Sequence, residues 1–173
     1  MAAGTARPPK IDVWSANGKA GRGKLPSQAM RAFGLDVGTM TVGVALSDAL
    51  GITAQTLTTL RRGGLRADLQ ALRQLAEAHE VTRAVVGLPL NMDGSEGASA
   101  ARSRAFGEAL AKALHLPVEY WDERLSTVAA NRALRESDLS HHRRRALVDQ
   151  VAAALILQGW LDAHRGSTLG DAE

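Results

Sequence analysis

The apolar residues of this chain follow two patterns, one typical of strands and one typical of helices. Short apolar or alternating runs predict five strands, at residues 31–35, 41–47, 55–60, 83–89 and 118–121. Helical spacing, alanine-rich composition and capping residues predict four helices, at 65–79, 98–114, 126–135 and 143–164. Three extended segments followed by alternating helices and strands predict an α/β domain with a mixed five-stranded sheet, first antiparallel and then parallel, flanked by helices.

The two ends of the chain lack this pattern. Residues 1–29 are rich in Gly, Ala, Pro, Ser and Lys, which predicts a flexible N-terminal arm. The first 31 residues hold six basic residues and one acid, a balance of +5, whereas the whole chain carries +3, so the remainder carries −2. We therefore expect a basic arm, a folded domain at 30–165 and a disordered tail at 166–173.

Composition narrows the class of protein. A length of 173 residues with 45% hydrophobic residues is enough for one buried core. The absence of cysteine excludes disulfides, thiolate zinc sites, iron–sulfur clusters and a cysteine nucleophile. The five histidines lack the spacing of a zinc site. Without a membrane-spanning apolar run or the apolar core of a signal peptide, we expect a cytoplasmic protein that does not enter a membrane.

Three acids lie where charge is costly to bury. Asp36 follows the apolar residues of the first strand, Glu123 follows the fifth strand, and Asp149 lies inside the last helix among alanines small enough to let that helix approach a sheet. Each one alone is compatible with an ordinary solvated carboxylate. Together, without histidine or cysteine partners, they favour a site for Mg²⁺ or Mn²⁺, as a pair of ions that supports phosphodiester hydrolysis.

Four ordered motifs carry a resemblance to a known family. The strings GLDVGTMTVGVALSD, VVGLPLNMDGSEG, DERLST and LVDQVAAALILQGWL resemble the YqgF/RuvX family, over nearly the whole of residues 30–165. The resemblance implies an RNase H-like fold with metal-binding, catalytic acids at Asp36, Glu123 and Asp149. It also implies an endonuclease acting on structured nucleic acid, either in processing of the precursor of 16S rRNA or in Holliday junction resolution.

Further residues are candidates for binding the substrate, each with a plain structural alternative. Gly38 and Thr39 could contact a phosphate or only form the hairpin turn, and Arg124 could bind a phosphate or pair with Asp122. Asn91 and the loop at 92–97 could form a substrate lip or a neutral connection. The other candidates are basic or hydroxyl residues at helix starts: Ser126, Thr127, Arg143, Arg144 and Arg145, with capping or solvation as their alternatives. The basic residues at 61, 62 and 66 are a weaker cluster of the same kind.

Two other functions remain open on the sequence. DVGT hairpins also cradle phosphates in sugar-kinase and actin-like ATPases, but those enzymes need two domains and this chain has room for one. A non-catalytic ribosome assembly factor could bind RNA through the basic arm and arginine clusters. RNA and DNA junctions are not distinguished, because such a site contacts mainly phosphates. Symmetric cleavage of a junction would require a homodimer.

Overall fold

The computed structural model describes residues 31–125 and 142–165, with side chains from Val148 onward in the second range. One mixed sheet has the strand order β3-β2-β1-β4-β5, in which β2 pairs antiparallel with both β1 and β3, and β4 is parallel to both β1 and β5. In chain order the elements are β1 Arg31–Val37, β2 Thr41–Ser47, β3 Ala54–Arg61, α1 Leu65–Ala78, β4 Val81–Leu88, α2 Ala98–Leu114, β5 Val118–Asp122, a single 3₁₀ turn Glu123–Leu125, and α3 His142–Arg165. The predicted fold class is confirmed.

The predicted first strand is too short. The ladder between β1 and β2 continues through the pairs Asp36–Gly43 and Val37–Val42, so that β1 ends at Val37. Asp36 therefore lies inside a strand and not beyond its tip. The other elements that fall on described residues end within two residues of their predicted ends, whereas the helix predicted at 126–135, the arm and the tail lie outside the described residues.

The two faces of the sheet pack against different helices. Phe33 and Leu35 point to a core shared with Leu72 of α1 and Leu110 of α2. Residues of opposite parity, such as Ala32, pack in a second core with α3. Alternation along a strand thus assigns every residue of β1 to one face or the other. Within the described ranges, no helix is long and apolar enough to cross a membrane.

Glycines bring α3 unusually close to the sheet. A Cβ atom built on Gly43 of β2 would lie 2.1 Å from the main-chain oxygen of Asp149. One built on Gly34 of β1 would lie 2.5 Å from the main-chain oxygen of Ala153. Both distances are shorter than any ordinary contact, so a side chain at either position would push the helix backbone away. At these two positions the backbone of α3 thus lies directly on the backbone of the sheet.

A buried ion pair closes the end of β3 onto α1. Asp68 is 3% exposed and accepts hydrogen bonds from the main-chain amide of Gly63 and from Nε of Arg62, each at 2.9 Å. Arg62 also donates to the carbonyl of Gly38 at 3.0 Å and lies over the ring of Phe106. Arg62 is therefore a structural residue that ties β3, α1 and the β1–β2 turn together, and it does not belong to an exposed basic cluster.

We predict that Gly43→Ala destabilises the fold by about 1–3 kcal/mol, because the added methyl group displaces the backbone of α3. Gly63→Ala is the matched control, since its Cβ would meet only Ala67 at an ordinary 3.5 Å. Urea unfolding of the two variants measures the difference. Equal stability of the two variants would show that α3 is not held at the distance described.

Candidate active site

Asp36 lies on the face of the sheet that α3 covers. It shares its parity along β1 with Ala32 and Gly34, which both lie under α3. Asp36 is 6% exposed, and its Cα partner on β2 is Gly43. The predicted acid of the first strand is thus buried between the sheet and α3.

Asp149 of α3 lies over the neighbouring strand. Its main-chain oxygen lies over Gly43, directly across from Asp36 in the ladder. Its carboxylate accepts a hydrogen bond of 2.6 Å from the hydroxyl of Thr41, two residues before Gly43 on the same face of β2. Charged acceptors make shorter and stronger bonds than neutral ones, which fits this distance. Thr41 thus fixes one oxygen of the Asp149 side chain.

Glu123 lies on the other side of Asp36. It opens the 3₁₀ turn after β5, is 3% exposed, and has its Oε1 only 2.5 Å from the position that a Cβ on Gly87 would occupy. Gly87 is the residue of β4 that follows Val86, the partner of Leu35 in the parallel ladder. The side chain of Glu123 therefore occupies the space that the glycine leaves next to Asp36.

A single row across the sheet relates the three acids. Gly43, Asp36 and Gly87 lie side by side on β2, β1 and β4, with Asp149 over one end of the row and Glu123 at the other. Because neighbouring strands are about 4.8 Å apart, the row spans roughly 10 Å. Among the described residues, no three acidic or histidine side chains form a preassembled metal-binding group. The backbone brings the three acids to one place, and their side chains are not closed around a common point.

The turn between β1 and β2 uses Gly38 for its own closure. The amide of Gly38 donates to the carbonyl of Thr41 at 2.9 Å, and a Cβ on Gly38 would lie 3.0 Å from that oxygen. Thr39, the next residue, is exposed. The tight turn is thus sufficient to explain the glycine, while Thr39 remains accessible to a ligand.

Arg124 pairs with Asp122, which is the structural alternative to binding a phosphate. Its guanidinium donates to both carboxylate oxygens of Asp122, at 3.0 and 2.6 Å for the shorter bond to each. It also reaches the carbonyls of Asn91 and Met92 in the loop after β4. The hydrogen bond with Arg124 lowers the pKa of Asp122 below its usual value, and the same bond raises the pKa of Arg124. In this structure Arg124 therefore joins the end of β5 to that loop.

The loop at 91–97 is organised by its own side chains. The amide nitrogen of Asn91 donates to the hydroxyl of Ser95 at 2.8 Å, and that hydroxyl donates to Asp93 at 2.6 Å. Bonds from the side chain and main chain of Ser95 lower the pKa of Asp93. Glu96 pairs with Arg104 of α2. The side-chain amide of Asn91 is thus engaged within the loop.

The remaining candidates lie on residues whose side chains the structure does not describe. Ser126 and Thr127 are outside the described residues. Arg143, Arg144 and Arg145 fall in the first turn of α3, the helix that carries Asp149, but only their backbone is described. Thr41, by contrast, is a site residue that the sequence analysis missed. Thr41 alternates with Gly43 and Ala45 along β2, and this run of small residues on one face was the signal that a helix packs closely there.

The sheet order and the flanking helices define the fold class of this protein. The chain has the RNase H-like fold: it is similar to "T. thermophilus RuvC in complex with Holliday junction substrate", with a TM-score of 0.51 over 80% of this chain and 97% of that one. At 12% identity that likeness concerns the fold alone.

The chain belongs to the family described as "RuvX: Holliday junction resolvase", whose model matches residues 30–163. A protein of Myxococcus xanthus is 64% identical over 136 residues, which cover 79% of this chain and 90% of that protein. One of Moorella thermoacetica is 59% identical over 133 residues, which cover 77% and 95%. Both are named "Putative pre-16S rRNA nuclease". The expected family is confirmed, and these findings support a nuclease and favour neither of the two other functions.

We predict that Thr41→Val lowers the free energy of unfolding by about 1–3 kcal/mol, because the carboxylate of Asp149 loses its hydroxyl donor in a half-buried position. Thr56→Val makes the same chemical change at an exposed position of β3. Urea unfolding at neutral pH should separate the two variants. A loss of the same size in both would show that the Thr41–Asp149 bond contributes no stability.

Proposed function

We propose that this chain is an endonuclease that uses divalent metal ions to hydrolyse phosphodiester bonds in structured nucleic acid. The observation that carries the proposal is the convergence of Asp36, Glu123 and Asp149 on one row of the sheet, with two of them buried. Burying carboxylates is costly unless a cation or hydrogen bonds compensate. A catalytic metal site accounts for why two buried carboxylates and a third, half-buried one lie within a span of about 10 Å.

The donor set fits Mg²⁺ or Mn²⁺. The three side chains offer only carboxylate oxygens, which are the ligands that these hard cations prefer, and no sulfur or imidazole competes in the row. The two positions of the row that flank Asp36 are glycines, so no other side chain enters the row between the acids. A pair of such ions would activate a water molecule and stabilise the leaving oxygen of the phosphodiester.

The three acids would bind the ions directly, and Thr41 would orient one of these acids. Asp36 lies in the middle of the row, next to both other acids, so it would hold divalent cations together with Glu123 and Asp149. Thr41 positions Asp149 by holding one oxygen of its carboxylate and leaving the other for a cation. Such supporting hydrogen bonds fix the orientation of metal ligands.

The precursor of 16S rRNA is the substrate that we favour. The relatives with 64% and 59% identity carry the name of a pre-16S rRNA nuclease, and this chain covers nearly all of their length. A four-way DNA junction is the second candidate, because the description of the matching family names a Holliday junction resolvase. The junction function would in addition require a homodimer with two sites related by a two-fold axis.

Nucleic acid would be held by residues around the row of acids. We propose Thr39 beside Asp36, Ser126 and Thr127 after Glu123, and the arginines that open α3 beside Asp149. Gly38 would act by shaping the turn that presents Thr39, since its amide and carbonyl already bind Thr41 and Arg62. The basic arm at 1–29 would add sequence-independent affinity. Asn91 and Arg124 would act through the loop that they hold together, since Arg124 already pairs with Asp122.

We predict that Asp36→Asn, Glu123→Gln and Asp149→Asn each reduce Mn²⁺-dependent cleavage to background while the fold persists, because each removes an anionic ligand and keeps its shape. Asp162→Asn, at an exposed position of the same helix as Asp149, is the matched control. Cleavage of a pre-16S rRNA fragment, a four-way junction and a single-stranded RNA is measured side by side for all four variants and the unchanged chain.

Circular dichroism and calorimetric titration with Mn²⁺ accompany the cleavage assay. The three acid variants should keep their secondary structure and bind Mn²⁺ more weakly than the Asp162 variant. Undiminished cleavage by any purified acid variant would contradict the assignment of that acid, and cleavage of none of the three nucleic acids by the unchanged chain would contradict the proposed function.

We predict that replacing Arg143, Arg144 and Arg145 with Gln weakens binding to all substrates alike. Positive side chains at a helix N-terminus oppose the helix dipole, so contact with phosphates is the better reason for three in a row. The slope of log affinity against log salt should fall by up to about 0.9 for each duplex DNA phosphate that the variant no longer binds. Affinity and slope are measured by fluorescence anisotropy at several salt concentrations, and an unchanged slope would place the substrate backbone elsewhere.

A further inference from the structure

The loop at 91–97 is held at both of its ends and in its middle. Arg124 reaches the carbonyls of Asn91 and Met92 at its start, and Glu96 pairs with Arg104 of α2 near its end. Between them, two main-chain hydrogen bonds of 2.9 Å close the loop. The main-chain amide of Gly94 donates to the carbonyl of Asn91, and the main-chain amide of Asn91 donates to the carbonyl of Ser95. Contacts within the protein thus hold the loop along its length.

The loop at 91–97 exposes an apolar side chain to water. Met92 is 93% exposed, more than any other large hydrophobic residue in the described ranges. It belongs to a group of exposed apolar residues at the edge of the sheet where β1, β4 and β5 end: Met40, Leu65, Met92 and Leu125. Four of the seven exposed large hydrophobic residues of the described chain thus lie at this one edge of the sheet. Scattered surface hydrophobics need no explanation, but a concentration at a functional edge does.

Met92 lies at the same edge of the sheet as Glu123. Its carbonyl accepts a hydrogen bond from Arg124, and Arg124 is covalently joined to Glu123. A nucleic acid with a phosphate at Glu123 is therefore at the same edge of the sheet as the loop that carries Met92.

The charges of the loop argue for contact with a base and against contact with a phosphate. The segment 91–97 contains two acids and no lysine or arginine. The two arginines that touch it are already paired, Arg124 with Asp122 and Arg104 with Glu96. A phosphate would meet a neutral or negative surface here, whereas the face of an unstacked base would meet a methionine.

We propose that Met92 is a specificity-determining residue that packs against a base displaced from its stack next to the scissile phosphate. Proteins insert apolar side chains, including methionine, between base steps to unstack them, and sequence-specific contacts to RNA are made largely with unstacked bases. The proposal rests on the nuclease function above and extends it to the kind of substrate: a site where a base can leave its stack, such as a loop, a branch point or the end of a helix.

Four variants of the full chain test this proposal. Met92→Ala removes the contact, Met92→Gln keeps the length but not the apolar character, and Met92→Leu keeps both. Leu50→Ala is the matched control, since Leu50 is 79% exposed at the opposite edge of the sheet. Cleavage of the pre-16S rRNA fragment and of the four-way junction is compared with cleavage of an unstructured single strand. Binding is measured at several salt concentrations.

We expect Met92→Ala and Met92→Gln to lower cleavage of the structured substrates by about tenfold, near the lower end of the effect of removing an aromatic side chain that stacks on a base. Met92→Leu should restore cleavage, and Leu50→Ala should leave it unchanged. The slope of affinity against salt should stay the same in all four, because every phosphate keeps its protein partners. In the Asp36→Asn background, 2-aminopurine placed beside the mapped cleavage position should fluoresce less with Met92→Ala than with Met92.

The outcomes separate the two proposals. If the unchanged chain cleaves a structured substrate but Met92→Ala behaves like Leu50→Ala, the assignment of Met92 is wrong and the nuclease function stands. A reduced salt slope in Met92→Ala would also contradict a base contact. If the unchanged chain neither binds nor cleaves any of the nucleic acids, the nuclease function fails and the role of Met92 fails with it.

Discussion

The close approach of α3 to the sheet is the constraint on which the site depends. Gly34 and Gly43 allow the helix backbone to lie directly on β1 and β2, and that distance brings the carboxylate of Asp149 to the hydroxyl of Thr41. On the other side of Asp36, the missing side chain of Gly87 gives room to Glu123. A methyl group at any of these three positions would move an acid. The glycines are thus part of the site although they carry no chemistry.

The two faces of the sheet serve different ends. Large side chains such as Phe33 and Leu110 fill the face toward α1 and α2, which gives the domain an ordinary hydrophobic core. On the face toward α3, several sheet residues are small, such as Ala32, Gly34 and Gly43, so that the helix and its acid can lie close to Asp36. Because β1, β4 and β5 are parallel, their ends also meet at one edge, where the 91–97 loop and the 3₁₀ turn are joined by Arg124.

Much of this arrangement can be predicted from the sequence. Apolar periodicity predicts the elements, and acids that interrupt apolar elements predict the site, with alanines around Asp149 indicating a helix that packs closely. The pairing of side chains cannot be predicted in the same way. Whether Arg124 binds Asp122 or a phosphate depends on a turn that no periodicity specifies, and Thr41 becomes a partner of Asp149 only through the distance that Gly43 allows. The inward position of Asp36 likewise depends on a ladder that continues two residues beyond the apolar run.

The central claim is that three acids on one row of the sheet form a site for divalent cations. Crystals of the unchanged chain grown with Mn²⁺, with diffraction recorded at the manganese absorption edge, test this directly. We expect anomalous density within roughly 2–2.5 Å of carboxylate oxygens of Asp36 and of at least one of Glu123 and Asp149. Manganese bound only at other residues, with none on the three carboxylates, would contradict the claim.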